Sequence, residues 1–177
     1  MSSDRESEVG SLHARLIEAP FADDADTGAI ADLRAMICAA SADTALAPLA
    51  DVLTQPKVQA LLSGILAGSP YLGRLAARDL FALQAMLTSP PEQHFEALSR
   101  DVRTTVENAA SINEAMKALR VYKNRVALLT ALCDIGGVWP VMTVTGVLTA
   151  TADAALQSSV RSEEHTSELQ SRFGISY

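Results

Sequence analysis

An all-α fold, a helical bundle, follows from three features of the sequence. Between Ser111 and Gly137, the apolar or weakly polar residues Ile112, Ala115, Leu119, Tyr122, Val126, Leu129 and Cys133 recur at alternating steps of three and four. That spacing puts all seven on one face of a helix. Hydrophobic residues make up 49% of the 177 positions and aromatic ones only 5%, an Ala- and Leu-rich mixture that favours packed helices over a sheet. No segment alternates with period two for long enough to form a strand.

The 111–137 stretch is the organising helix. Ser111 followed by Glu114 has the capping-box pattern, Gly136-Gly137 supplies the stop, and Lys117, Lys123 and Asn124 lie mostly on the opposite face. Such a helix is marginal by itself. Ordering each residue costs about 1–2 kcal/mol, whereas burying each large apolar side chain contributes about 1.5–3 kcal/mol. The rest of the chain has to cover its apolar face.

Taken in order, residues 1–10 read as a disordered leader and residues 11–160 as one helical domain. Leu12, Leu16 and Ile17 predict a short first helix ending before Pro20, followed by a polar Asp23-Asp24-Ala25-Asp26 loop. Thr27 caps a helix with Ile30, Leu33, Ile37 and Cys38, and a shorter one runs through Leu46, Leu49, Val52 and Leu53. Pro56 opens the next, which Gly68 closes. Ser69-Pro70 starts another with Tyr71, Leu72 and Leu75 on its apolar face. Residues 80–87 continue helical after a bend near Asp79. Ser89-Pro90-Pro91-Glu92 reads as a capped start for the helix of Phe95, Leu98, Val102 and Val106. Trp139-Pro140 marks a turn, and Thr143 caps a last helix with Val144, Val147, Leu148, Ala152, Ala155, Leu156 and Val160.

Composition excludes several functions. A net charge of −7 argues against a nucleic-acid surface, which needs clustered cations to neutralise phosphates. Cys38 and Cys133 match no metal spacing and read as reduced core thiols. Residues 1–11 hold no apolar run of a secretory signal, so a cytoplasmic protein fits. From Val126 to Ala152 the one charged residue is Asp134, a length that suggests a membrane span. Gly136-Gly137, Trp139-Pro140 and Thr143, Thr145, Thr149 and Thr151 interrupt it, which predicts a buried helical hairpin with no membrane partner.

No catalytic, cofactor-binding or metal residue stands out. Asp24 and Asp26 have the two-carboxylate spacing of a divalent-ion site, but no glycine turn or basic group accompanies them, so a solvated loop is expected. His13 and His94 have no partner at a catalytic spacing and read as surface residues. Arg120, Lys123 and Arg125 form a basic cluster on the organising helix, read as a solvated face. The phosphate-loop, dinucleotide and nucleophile-elbow glycine motifs are missing.

Residues 161–171, RSEEHTSELQS, resemble the translation of a common short-read sequencing adapter, and Ile175-Ser176-Tyr177 resembles its continuation in the same frame. Residues 161–177, His165 included, are therefore read as non-native. The gene is expected to continue past residue 160.

Gly68-Ser69-Pro70-Tyr71-Leu72, Arg74-Leu75-Ala76-Ala77-Arg78-Asp79, Ser-Pro-Pro-Glu at 89–92, LRVYKNRVALLTALCDIGG at 119–137 and ATADAALQ at 150–157 occur in an order that resembles one family. The chain is similar to the N-terminal region of the bifunctional glutamine synthetase adenylyltransferase/adenylyl-removing enzymes over most of residues 12–160. Leu80 departs from the pattern, since relatives usually carry proline after Arg-Asp, and this predicts that the helix runs on through Asp79. The resemblance implies an enzyme with two nucleotidyltransferase domains. One attaches AMP from ATP to a tyrosine of glutamine synthetase, and the other, to whose helical leader this chain corresponds, removes it by phosphorolysis. It also implies control by a PII-type signalling protein, and magnesium held by an Asp-x-Asp pair after a Gly-rich turn. Neither pair is present here in that context, so the fragment is expected to be inactive, with its catalytic sheet missing. A second reading stays open: a stand-alone all-α module that binds a partner protein in a helical groove.

Overall fold

The computed structural model describes residues 10–17 and 27–154. The expected leader up to residue 9, the acidic loop at 23–26, the end of the last helix beyond Ala154 and the tail at 161–177 lie outside the described residues. Within them the fold is all-α, with no strand. Helix α1 (Leu12–Arg15) is followed by α2 (Thr27–Ala42), a 3-10 turn (Thr44–Leu46), α3 (Ala47–Leu53), α4 (Pro56–Gly68) and α5 (Pro70–Arg78). Then come α6 (Leu80–Thr88), α7 (Pro91–Glu107), α8 (Ile112–Ile135) and α9 (Val141–Ala154).

The boundaries follow local chemistry. Proline occupies the first turn of α3, α4, α5 and α7, where its missing N–H costs no hydrogen bond. Ser69 Oγ accepts from Leu72 N at 3.3 Å, and Ser111 Oγ accepts from Glu114 N at 3.2 Å. Glu114 reaches back to Ala110 N at 2.9 Å, so the expected reciprocal cap forms one residue early. At the far end of α8, Gly137 takes φ +67, and Val138 N and Trp139 N both reach the Cys133 carbonyl, at 2.8 and 3.2 Å.

Two boundaries differ from the sequence expectation. The helix does not run on through Asp79, whose extended backbone (φ −138, ψ 83) ends α5 while its side chain accepts from Ala82 N at 3.0 Å to cap α6. An Asp side chain is sufficient to restart a helix without proline. Thr143 is not the cap of the last helix. α9 begins at Val141, and Thr143 N already donates to the Pro140 carbonyl at 2.9 Å.

The core lies between α4 (Val58, Leu61, Leu62, Ile65), α6 (Leu83, Met86, Leu87), α3 and the C-terminal half of α8. α7 and α8, joined by a four-residue connection, form an antiparallel pair in which Leu98 and Val102 face Tyr122 and Val126. Of the seven residues expected on the organising face, Ala115, Tyr122, Val126, Leu129 and Cys133 are buried and Leu119 is partly buried. Ile112 is 49% exposed, because the first turn of α8 projects past the bundle. Beyond Val126, Leu128, Thr130 and Leu132 are buried as well, so the helix is surrounded there rather than covered on one face. The expected buried hairpin holds for α8 but not for α9, whose Val141, Met142 and Leu148 are 69%, 77% and 50% exposed. No single described helix is long and apolar enough to cross a membrane.

Leu129, fully buried, should cost about 2–5 kcal/mol on truncation to Ala, and the partly buried Leu119 less. Thr130 Oγ1 is buried without a hydrogen-bond partner. An unpaired buried hydroxyl costs about 1–3 kcal/mol, so Thr130→Val should raise the denaturation midpoint. Chemical denaturation of the three variants checks all of this, and a Leu129→Ala midpoint equal to that of the parent would show that α8 is not core.

Candidate functional site

Three segments distant in sequence meet at one carboxylate. Two prolines start α7 so that Glu92 falls in its first turn. Arg15, the last residue of α1, donates from Nη1 to both Glu92 oxygens, at 2.9 and 2.7 Å. Trp139 Nε1 donates to Glu92 Oε1 at 2.8 Å, and Arg15 Nη2 reaches the Val138 carbonyl at 3.4 Å. Backbone bonds align the same segments: Leu12 N to Ser89 O and Ile17 N to Gly136 O, both 3.1 Å. Lys57 Nζ adds a bond to the Leu16 carbonyl at 3.3 Å. Beneath them Leu12 and Leu16 are buried. A Cβ at Gly136 would lie 2.5 Å from Leu16 Cδ2 and 2.6 Å from the Leu132 carbonyl, so only a bare backbone lets this strap seat.

The Ser89–Glu92 pattern is thus not a capping box. Pro90 is the N-cap, Ser89 Oγ donates backwards to the Ala85 carbonyl, and Glu92 is drawn away to Arg15 and Trp139. Burial works to raise the Glu92 pKa, but hydrogen bonds from Arg15, the backbone and Trp139 outweigh it and hold the carboxyl below its ordinary 4.5.

His94 is half-buried rather than a surface residue, with Nδ1 3.4 Å from Ser89 Oγ. Burial, and then the Arg125 charge, push its pKa below 6.5. Ser89 spends its proton on Ala85, so this pair is not an activated nucleophile. His13 is also partly buried, 3.3 Å from Gln55 Oε1. In the basic cluster Arg120, Lys123 and Arg125 are exposed as expected. Arg125 pairs with Asp79 at 3.1 Å, and beside it Tyr71 Oη donates to Asn124 Oδ1 at 3.0 Å. Cys38 is exposed, against the expectation of a core thiol, because α2 turns that residue outward while Met36 and Ala40 face in. Cys133 is buried as expected, and burial pushes its thiol pKa up to about 12. Asp24, Asp26 and His165 lie outside the described residues.

Among the described residues no three His, Cys, Asp or Glu side chains converge as metal ligands. The described residues also form open grooves, two of which are well lined. One, of about 620 Å³, runs between α2 and α5 with Asp32, Met36, Gly73 and Arg74 in its walls. The other, of about 690 Å³, lies between α7 and α8 with Asp101, Val102, Lys117 and Val121 in its walls. Neither brings together a nucleophile, a base and an anion cradle. What the arrangement does is fix helices against one another. Sequence reasoning missed Arg15, Glu92 and Trp139 as a unit; a lone Trp beside Pro140 and an acid in the first turn of a helix were the available signals.

A family model described as glutamate-ammonia ligase adenylyltransferase matches residues 59–175, bounds that take in most of the adapter-like tail. A Bradyrhizobium diazoefficiens protein named bifunctional glutamine synthetase adenylyltransferase/adenylyl-removing enzyme is 44% identical over 115 residues, 65% of this chain and 12% of that protein. Proteins of the same name from Bradyrhizobium sp. ORS 278 and Xanthobacter autotrophicus are 37% and 34% identical over 151 residues, 85% of this chain and 15% of each relative. The chain therefore spans about an eighth of the length of the curated relatives it matches. No solved structure matches it.

Replacing Glu92 by Gln removes the charge but keeps a carbonyl for Trp139. A carboxyl with a depressed folded pKa stabilises fully above its unfolded value of 4.5, and that stabilisation is lost as pH falls through the folded pKa. Glu92→Gln should therefore melt below the parent at neutral pH, with the two curves converging in acid. A gap that does not change with pH would mean that the charge is not what holds the strap.

Proposed function

Because the chain belongs to the glutamate-ammonia ligase adenylyltransferase family, we propose that it forms the helical N-terminal part of the adenylyl-removing half of such an enzyme, inactive without the catalytic sheet. The full-length enzyme would attach AMP from ATP to a tyrosine of glutamine synthetase and remove it again by phosphorolysis, releasing ADP. It would work in the cytoplasm under a PII-type signalling protein.

One observation carries the reading: where the family match falls on described residues, the scaffold is helical, and three of its carboxylates are engaged in holding helices. Asp79 caps α6 and pairs with Arg125, Glu92 holds Arg15 and Trp139, and Glu114 caps α8. Phosphoryl transfer instead needs paired carboxylates that present magnesium beside a phosphate-cradling turn. The sequence has one Asp-x-Asp, Asp24 and Asp26, and it lacks that turn. The helices would serve by packing on the catalytic sheet and shaping the entrance for a large protein substrate.

The check is a phosphorolysis assay with adenylylated glutamine synthetase, magnesium and phosphate. This chain should release no ADP above background, while the chain continued with the remainder of the Bradyrhizobium diazoefficiens relative should. ADP from the short chain that vanishes in Asp24→Asn/Asp26→Asn would place an active site in that loop and overturn the reading.

A further inference from the structure

The outward face of α9 is unusual for a surface helix. Its inward stripe, Val144, Val147, Thr151 and Ala154, packs on the bundle. The opposite side presents Val141, Met142, Thr145, Gly146, Leu148, Thr149 and Ala152, all exposed. No charged residue occurs in α9 before Asp153. The threonines do not make the face polar. Thr145 Oγ1 donates to the Val141 carbonyl at 2.8 Å and Thr149 Oγ1 to the Thr145 carbonyl at 3.0 Å, so both hydroxyls are used within the helix. A Cβ built at Gly146 meets nothing within 4 Å, which leaves bare backbone open to close approach.

We infer that this face is a docking surface for the family polypeptide that follows α9, an intramolecular contact made in the full-length enzyme; this rests on the family reading above. Three observations select that occupant. The matched stretch is 11–15% of the relatives' length, so most of each relative's chain is available to cover it. In the family reading the missing polypeptide follows α9 in sequence, which keeps it tethered to this face. Its chemistry is that of a protein interior, apolar with a glycine at its margin, and an uncharged face has nothing to orient on a polar partner. A lipid surface suits it less: the described part of α9 lacks the Lys and Arg of interfacial helices.

The test uses Met142→Cys and Leu148→Cys, each in a Cys38→Ser background, with labelling by a maleimide. It is run on the 177-residue chain and on residues 1–154 continued with the Bradyrhizobium diazoefficiens sequence. Labelling should be at least tenfold slower in the long protein, and Leu148→Glu should lower its melting temperature while leaving that of the short chain unchanged. Equal labelling rates in the two proteins overturn the inference. So does protection of the short chain that grows with its own concentration, or that appears only with anionic vesicles. Adenylyl-removing activity of the long protein is read in parallel. Protected cysteines without activity would remove the functional reading and leave the docking surface standing, and activity with unprotected cysteines would do the reverse.

Discussion

The Glu92 carboxylate is the point on which the arrangement of this bundle depends. Its donors, Arg15 and Trp139, come from segments 77 and 47 residues away in sequence. In magnitude the ion pair is modest, since its side chains are 33% and 49% exposed, and half-exposed pairs of this kind contribute about 0–1 kcal/mol. The energy of the contact lies in Leu12 and Leu16, buried beneath it. What the carboxylate adds is registry. A short apolar segment slides easily along a groove, whereas one guanidinium and one indole N–H on the same acid admit a single position.

The helices were legible in the sequence because their limits are local. Pro56, Pro70 and Pro91 sit in first turns, Ser69 and Ser111 cap, and Gly136-Gly137 stops α8, each through backbone chemistry within a few residues. Errors came where a side chain bonded otherwise than the pattern around it implied. Ser89-x-x-Glu92 has the capping pattern, but a guanidinium from α1 and the indole of Trp139 take the carboxylate. Leu80 in place of proline suggested an unbroken helix, yet the Asp79 side chain bonds forward to Ala82 and breaks it.

Burial was less legible than helicity. A 3.6-residue period says which residues share a face, and nothing about how many neighbours surround the helix. That is why Leu128, Thr130 and Leu132, off the expected face of α8, are buried, while Ile112 on it is exposed. His94 looked superficial beside two prolines, but the chain folds that turn inward next to Arg125. The candidate site was the least legible part. The clasp is assembled from three side chains that no spacing rule connects, and the grooves exist only through the packing of α2 and α5 on α4 and of α7 on α8.

The two cysteines give this protein a built-in clock. Cys38 stands in solvent, while Cys133 is buried in α8, where burial pushes its thiol pKa up to about 12. An alkylating reagent meets the exposed Cys38 first and waits for the bundle to open before it reaches Cys133. The second modification counts excursions out of the closed state, not encounters with reagent. Read by mass, the step from one adduct to two records how often the core around α8 opens, without any added probe.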